Sequence, residues 1–212
     1  MSDDHVKSTI AVYNSIATQY ALQAEAHAPA QEREKFTGMI PKGGKVLDAG
    51  CGSGRDAAYF ETKDIGVVGI DLSDSLLVIA RKVAANAEFI NMDLRKMDFP
   101  DNNFDGIWAC ASIIHLKRVE IPPVLATFFR ILKPGGVLMV MVKAGTRDEF
   151  TAEPSIPDKS RYYTYFSKKD IKDYITRAGF AVTEIYSYNE AERFPDGYPT
   201  DWIACFAQKS PA

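Results

Sequence analysis

Three aspartates each follow a short apolar run: Asp48 in VLDAGCGSGRD (residues 46–56), Asp71 in GIDLS and Asp93 in NMDL. Asp48 is followed by glycines at alternate positions, Gly50, Gly52 and Gly54. A glycine-rich turn between a strand and a helix lets the backbone close on a ligand, often a phosphate at the helix N-terminus. The dinucleotide fingerprint needs glycines at relative positions one, three and six, and here Arg55 occupies the sixth place. A nucleoside-triphosphate loop would continue into Gly-Lys-Ser/Thr, and this one does not. Asp48 is a poor neighbour for a polyphosphate and a good one for an ammonium group. The ligand this favours is cationic and carries no phosphate. Asp71, 21 residues after Gly50, stands where a carboxylate accepts hydrogen bonds from both hydroxyls of a ribose. Asp93 stands where an adenine amino group would be read, although aspartates there are also common turn formers. An amino-acid end, a ribose and an adenine together describe S-adenosylmethionine.

Among groups able to move a proton, His115 follows the fourth apolar run, in ASIIHL. Its ordinary pKa of about 6.5 suits a general base acting on a hydroxyl, an amine or an acidic carbon. It equally suits a residue that only hydrogen-bonds its loop or covers the cofactor. Cys51 sits inside the glycine loop, but no neighbouring residue activates a thiol, so it reads as a small packing residue. The three cysteines, Cys51, Cys110 and Cys205, lack metal-ligand spacing.

Positioning these residues requires alternating strands and helices, and the chain supplies them from Lys45 onward. KVLDAG, GVVGIDL, AEFINMD, FDGIWACAS and VLMVMVK read as strands. SGRDAAYFETK, SDSLLVIARKVAAN (capped by Ser73) and EIPPVLATFFRIL (prolines in its first turn) read as the helices between them. Strands apolar on both faces imply a mainly parallel sheet covered on both sides, with the ligand crevice along the strands' C-terminal edge. The first 40 residues read as helical, with Ile10, Tyr13, Ile16, Ala17 and Tyr20 forming one apolar stripe. After Lys143 the pattern breaks. Residues 144–166 show no clear period and read as a long lid or binding loop. A helix (SKKDIKDYITRAG), a strand (FAVTEIYSY), a second loop (NEAERFPDGYPT) and a last strand (DWIACFAQK) follow, and two strands without a helix between them imply an antiparallel pair.

Taken in order, VLDAGCGSGRD, GIDLS, NMDL, FDGIWACASIIHL and RILKPGGVLMV closely resemble the class I S-adenosylmethionine-dependent methyltransferases, over about residues 40–145. The resemblance implies an α/β, Rossmann-like fold: a seven-stranded, mostly parallel sheet whose last strand is antiparallel, with helices on both faces. One domain would run over 1–212, with a helical cap (1–40), a cofactor-binding half (41–145) and an acceptor-side half with long loops (146–212). It implies that Asp48, Gly50 and Gly52, with Cys51 in the same loop, line the methionine part of the cofactor. Asp71 would take the ribose with Leu72 near the adenine, and Met92, Asp93 and Leu94 would surround the adenine. Cys110 and Ala111 would lie below the sulfonium. The N-terminal helix, with Tyr13 and Tyr20, would cross the cofactor as a lid, while the same tyrosines also fit a plain amphipathic core. In RYYTYF, Arg161, Tyr162, Tyr163 and Tyr165 line an acceptor pocket or merely bridge to the sheet edge.

A net charge of −3, with 46% hydrophobic and 25% charged residues, gives no global field for a polyanion. The acidic, polar start lacks the pattern of a signal peptide, and no apolar run reaches the roughly 20 residues that cross a bilayer. A cytoplasmic location without a membrane partner is the expectation. The sequence does not speak to the oligomeric state. An acceptor small enough to be enclosed fits this charge and the tyrosine-bearing loops. An RNA acceptor is the competing reading, because SRYYTYFSKKDI and the late DW weakly resemble tRNA wobble-uridine methyltransferases. Against it, acidic and basic residues interleave through 143–212 without a stripe that would track a phosphate backbone. A non-catalytic module that binds S-adenosylmethionine is the third class.

Overall fold

The computed structural model describes residues 4–152 and 159–211. A long helix, α1 (Asp4–Ala26), and a short one, α2 (Ala30–Gly38), precede the sheet. The chain then alternates through β1 (Lys45–Ala49), α3 (Arg55–Glu61), β2 (Gly66–Asp71), α4 (Asp74–Val83), β3 (Glu88–Asn91), β4 (Phe104–Cys110), α5 (Ile121–Ile131) and β5 (Leu132–Lys143). The distal part comprises β6 (Asp148–Ala152), β7 (Ser160–Thr164), α6 (Lys168–Arg177), β8 (Ala181–Asn189), α7 (Glu190–Arg193) and β9 (Asp201–Gln208). Seven strands form one sheet in the order β3-β2-β1-β4-β5-β9-β8, and β9 alone runs against its neighbours. The antiparallel closing pair expected from the sequence is β8 with β9.

Alternation along the strands builds two cores, one on each face. Leu47 and Ala49 of β1 join Phe128 and Ile131 of α5 and Ile171 and Ile175 of α6 on one side. Val46 faces the other way, toward Phe36 of α2, Phe60 of α3 and Leu77 of α4. Strands buried on both faces are therefore near-continuous apolar runs. Ser73 caps α4 by accepting from Leu76 N, as its sequence position suggested. Lys133–Gly136 loops out of β5: the pairing jumps from Phe104↔Leu132 to Gly106↔Val137, with Gly135 at φ +78°.

One expectation is corrected. The stretch after Lys143 is not structureless, because β6 and β7 form an antiparallel hairpin pairing Asp148↔Thr164 through Ala152↔Ser160. The period escaped notice because exposed and half-buried Asp148–Ala152 offers no apolar face, and β7 buries Arg161, Tyr163 and Thr164. The prolines of that stretch, at 154 and 157, lie outside the described residues. Among the described residues, no helix is long and apolar enough to cross a membrane.

Candidate active site

The strands deliver their C-terminal ends to one edge of the sheet, and α1 lies across it. Polar contacts pin the helix there, among them Asn14 Oδ1 accepting from Ser73 Oγ (2.7 Å), Arg55 Nη1 donating to Ala24 O (2.7 Å), and Tyr162 N donating to Thr9 Oγ1 (3.1 Å). Beneath α1 are two cavities, of about 340 and 100 Å3. Tyr13, Tyr20, Gly50, Gly52, Cys110 and Ala111 line both.

The glycine loop owes its shape to crowding. Gly50 has φ +84°, and a Cβ there would lie 2.3 Å from Ser112 Cβ. Gly54, at φ +79°, packs on Ala80 of α4, where a Cβ would come within 2.8 Å. Gly52, at φ +52°, has only the Tyr20 ring within reach, at 3.7 Å, so its bare face opens toward α1. Ala111 is a non-glycine residue at φ +53°, held by its N–H to Met141 O (2.9 Å). Such strain, of order 1–3 kcal/mol, persists where surrounding structure imposes it.

The acids divide in the fold. Asp71 lines the smaller cavity and braces the loop, its two oxygens accepting from Gly52 N (2.9 Å) and Ser73 N (2.8 Å). Burial raises its pKa against the pull of these amides. The two oxygens together offer about four lone-pair sites, more than the backbone amides occupy. Leu72, Met92, Asp93 and Leu94 also line this cavity. Asp93, however, is gripped by Arg95 (Nη2 to Oδ2, 2.6 Å) and caps the following turn. Although burial opposes ionisation, these hydrogen bonds hold its pKa below the ordinary value. Asp48 lines neither cavity. It is buried beneath the loop, its Oδ2 without a hydrogen-bond partner, and burial followed by repulsion from Asp56 drives its pKa well up. Asp56, which the sequence reading passed over, does line the larger cavity. It accepts from Arg33, Arg55 (2.8 Å) and Trp108 Nε1 (2.9 Å). Burial disfavours its charge, but the two guanidiniums prevail and hold its pKa low. Burial pushes the Cys51 and Cys110 thiols up, in keeping with packing roles.

His115 Nδ1 lies 2.7 Å from the Tyr162 carbonyl oxygen, and its Nε2 lies 2.9 Å from the Tyr13 hydroxyl. A carbonyl only accepts, so Nδ1 carries the proton, and in the neutral ring Nε2 accepts from Tyr13. His115 thus faces the smaller cavity, and Tyr13 is its link to the larger one.

The four residues singled out in RYYTYF separate by strand alternation. Arg161 and Tyr163 line the larger cavity. The Tyr162 ring instead packs edge-on against His5 (4.9 Å) and Phe150 (5.4 Å), and Tyr165, beyond the strand, lies behind Tyr163 at 6.2 Å. Neither Tyr162 nor Tyr165 reaches the cavity wall. The far wall holds residues that sequence reasoning missed: Lys143, Tyr188, Glu190, Trp202 and His27. Glu190 accepts from Trp202 Nε1 (2.8 Å) and pairs with His27 Nδ1 (3.1 Å). The available signal was positional, since Lys143 ends β5 and Glu190 and Trp202 flank the connection between the two antiparallel strands.

Residues 46–136 match the family model of a methyltransferase domain. The chain is 30% identical over 170 residues to phosphoethanolamine N-methyltransferase 1 of Arabidopsis thaliana, an alignment covering 78% of this chain and 30% of the plant protein. It is 30% identical over 150 residues to the ubiquinone/menaquinone biosynthesis C-methyltransferase UbiE of Pseudomonas putida, covering 64% of this chain and 57% of that one. The chain thus spans under two thirds of the length of either relative. Among solved structures, the 1,6-didemethyltoxoflavin-N1-methyltransferase of Burkholderia thailandensis, with 1,6-didemethyltoxoflavin and S-adenosylhomocysteine bound, has a similar fold. Its TM-score is 0.77 at 19% identity, with 98% of this chain and 89% of that one covered.

Proposed function

We propose that this chain, whose residues 46–136 match the family model of a methyltransferase domain, is a class I S-adenosylmethionine-dependent methyltransferase and that it methylates a small molecule enclosed in the larger cavity. The observation that carries this reading is the shared wall. Tyr13, Tyr20, Gly50, Gly52, Cys110 and Ala111 belong to both cavities, so a ligand spanning the two passes between lid and glycine loop.

The residues present fit S-adenosylmethionine. Asp71, Leu72, Met92 and Leu94 would hold the nucleoside in the smaller cavity, where Asp71 has free lone pairs and the others are apolar. Gly50, Gly52 and Tyr20 would flank the methionine chain. Asp48, with its unpartnered buried oxygen, acts on the ammonium by its field from beneath the loop rather than as a lining group. When bound, the cofactor supplies a methyl group activated by a sulfonium leaving group, so the protein mainly orients and desolvates the reactants. Tyr13 and His115 supply the proton path. A proton leaving the acceptor is taken by the Tyr13 hydroxyl oxygen as the phenol proton passes to His115 Nε2, while the Tyr162 carbonyl keeps Nδ1 protonated.

Against the RNA reading, two of the residues that suggested it, Arg161 and Tyr163, are only 2% and 1% exposed. The test is methyl-labelled S-adenosylmethionine incubated with the protein and a cell extract, the products being split into acid-soluble and acid-insoluble fractions. Label in a new acid-soluble compound is expected. Label in acid-insoluble, nuclease-sensitive material would replace the small molecule by RNA. Tight cofactor binding without turnover would leave a binding module.

A further inference from the structure

The wall that β8, β9 and the chain between them give to the larger cavity is built of rings. Tyr188, Phe194, Tyr198 and Trp202 line this cavity and not the smaller one. Tyr188 and Trp202 stand directly opposite each other in the β8–β9 register, and opposed residues of an antiparallel pair project from the same face of the sheet. Phe194 and Tyr198 continue the wall toward the end of α1, where both rings meet the imidazole of His27 (5.2 and 6.4 Å). Among the described residues, Ile114 is the only branched aliphatic side chain lining this cavity. Apolar contact there is therefore largely contact with rings.

We infer that the methyl acceptor is a planar aromatic ring, held on Tyr188 and Trp202. This rests on the methyltransferase reading and specifies its acceptor. The polar atoms of both side chains are turned onto the protein: Trp202 Nε1 donates to Glu190 (2.8 Å), and the Tyr188 hydroxyl donates to Met141 Sδ (3.3 Å). The Arg193 guanidinium, bonded to Glu32 (2.7 Å), lies 3.3 Å from the centroid of the Tyr188 ring and covers one of its faces. Burial pushes the Tyr188 pKa up, so the phenol keeps its proton. What such side chains offer an occupant is π surface in a preset orientation. A flat ring meets that surface by offset or edge-on stacking at little ordering cost.

Aromatic walls also serve as cages for cations, and the acids decide between the two uses. Those lining the cavity among the described residues are Asp56 and Glu190. Asp56 is engaged by Arg33, Arg55 and Trp108, and Glu190 by His27 and Trp202. A cationic acceptor would meet only carboxylates that are already engaged, whereas a neutral ring needs none. The strand order places the platform as well. Cys110 of β4 is common to both cavities, and Trp202 of β9 lies two strands away, about 10 Å at the usual spacing. The platform therefore belongs to the acceptor's end of the cavity, clear of the side proposed for the nucleoside.

The test uses the full chain saturated with S-adenosylhomocysteine. Phenol, its saturated counterpart cyclohexanol, and tetramethylammonium are titrated by ligand-observed NMR into the wild type, Trp202→Leu and Tyr188→Leu. Expected is phenol binding at least about fivefold tighter than cyclohexanol in the wild type. That preference should disappear in the variants with S-adenosylhomocysteine affinity retained. If neither variant folds, the wild-type comparison alone decides. The labelled product of the extract assay should also carry the ultraviolet absorbance of an aromatic ring. Equal affinity for phenol and cyclohexanol, no binding of phenol, or a preference indifferent to both substitutions overturns the aromatic acceptor and leaves the methyltransferase reading standing. So does tightest binding of tetramethylammonium, which would make the rings a cation cage, or a labelled product without ring absorbance. Failure to bind S-adenosylhomocysteine overturns both.

Discussion

Asp48 and His115 show how neighbours decide what a residue does. Asp48 is an acid whose ionisation burial and Asp56 resist, so without cofactor the fold shifts it toward its protonated form. A cationic ligand reverses that preference. Affinity for S-adenosylmethionine should therefore rise with pH as Asp48 ionises, and fall where binding must first expel its proton. In Asp48→Asn this pH dependence should disappear, cofactor affinity at neutral pH should drop about tenfold, and thermal stability without cofactor should be no lower than wild type. Calorimetry across pH together with thermal melts measures all three. For His115, the hydrogen bond to Tyr13 makes the two a single unit. Tyr13→Phe and His115→Gln should each lower kcat by roughly a hundredfold with little change in cofactor affinity. Because they act in series, the double variant should be scarcely worse than either single one. Additive losses would mean that the pair does not share a proton.

At the scale of elements, two close approaches, Gly50 on Ser112 and Gly54 on Ala80, constrain the β1–α3 turn. Gly50→Ala forces a side chain onto Ser112 from a left-handed backbone and should destabilise the fold by about 2–4 kcal/mol, read in urea. Cofactor affinity should fall with it, since the displaced segment is the loop itself. Ser167→Ala serves as the contrast. It removes the capping box of α6, in which Ser167 and Asp170 bond each other's backbone amides, and should cost about 1 kcal/mol. That helix carries no cavity residue, so cofactor affinity should not move. The hairpin β6–β7 teaches a related lesson. Its pairing is held by backbone bonds, and the side chains it buries include a cation, so apolar periodicity had nothing to report.

Across the whole molecule, the charges under the glycine loop tie the N-terminal helices to the sheet. Arg33 comes from α2, Arg55 and Asp56 from α3, and Trp108 from β4. Asp56→Asn would leave two buried guanidiniums uncompensated and should cost about 3–5 kcal/mol at neutral pH. The pH dependence follows from the lowered pKa of Asp56. Its stabilisation is fully present above the ordinary carboxylate pKa of about 4 and is lost as pH falls below it toward the depressed folded-state value. Wild type should lose stability through that acid window, and Asp56→Asn should lose less, in melts taken at successive pH values.

The order of strands and helices, the glycine loop, the helix cap at Ser73 and the antiparallel closing pair were legible in the residues alone. These depend on local backbone preference and on the spacing of apolar side chains, which a linear string carries in full. Asp71 could be placed by the same logic, because the end of β2 fixes where its carboxylate goes. The partnership of Tyr13 with His115 could not, since it joins residues 102 apart. Nor could the placing of Lys143 and Arg161 over the one ring of Tyr163, or the retreat of Asp48 from the cavity wall. Those follow from how α1, the hairpin and β9 converge over one sheet edge, and from which buried charges compensate one another there. Chain spacing does not encode such long-range packing and electrostatics, so only the tertiary structure decided them.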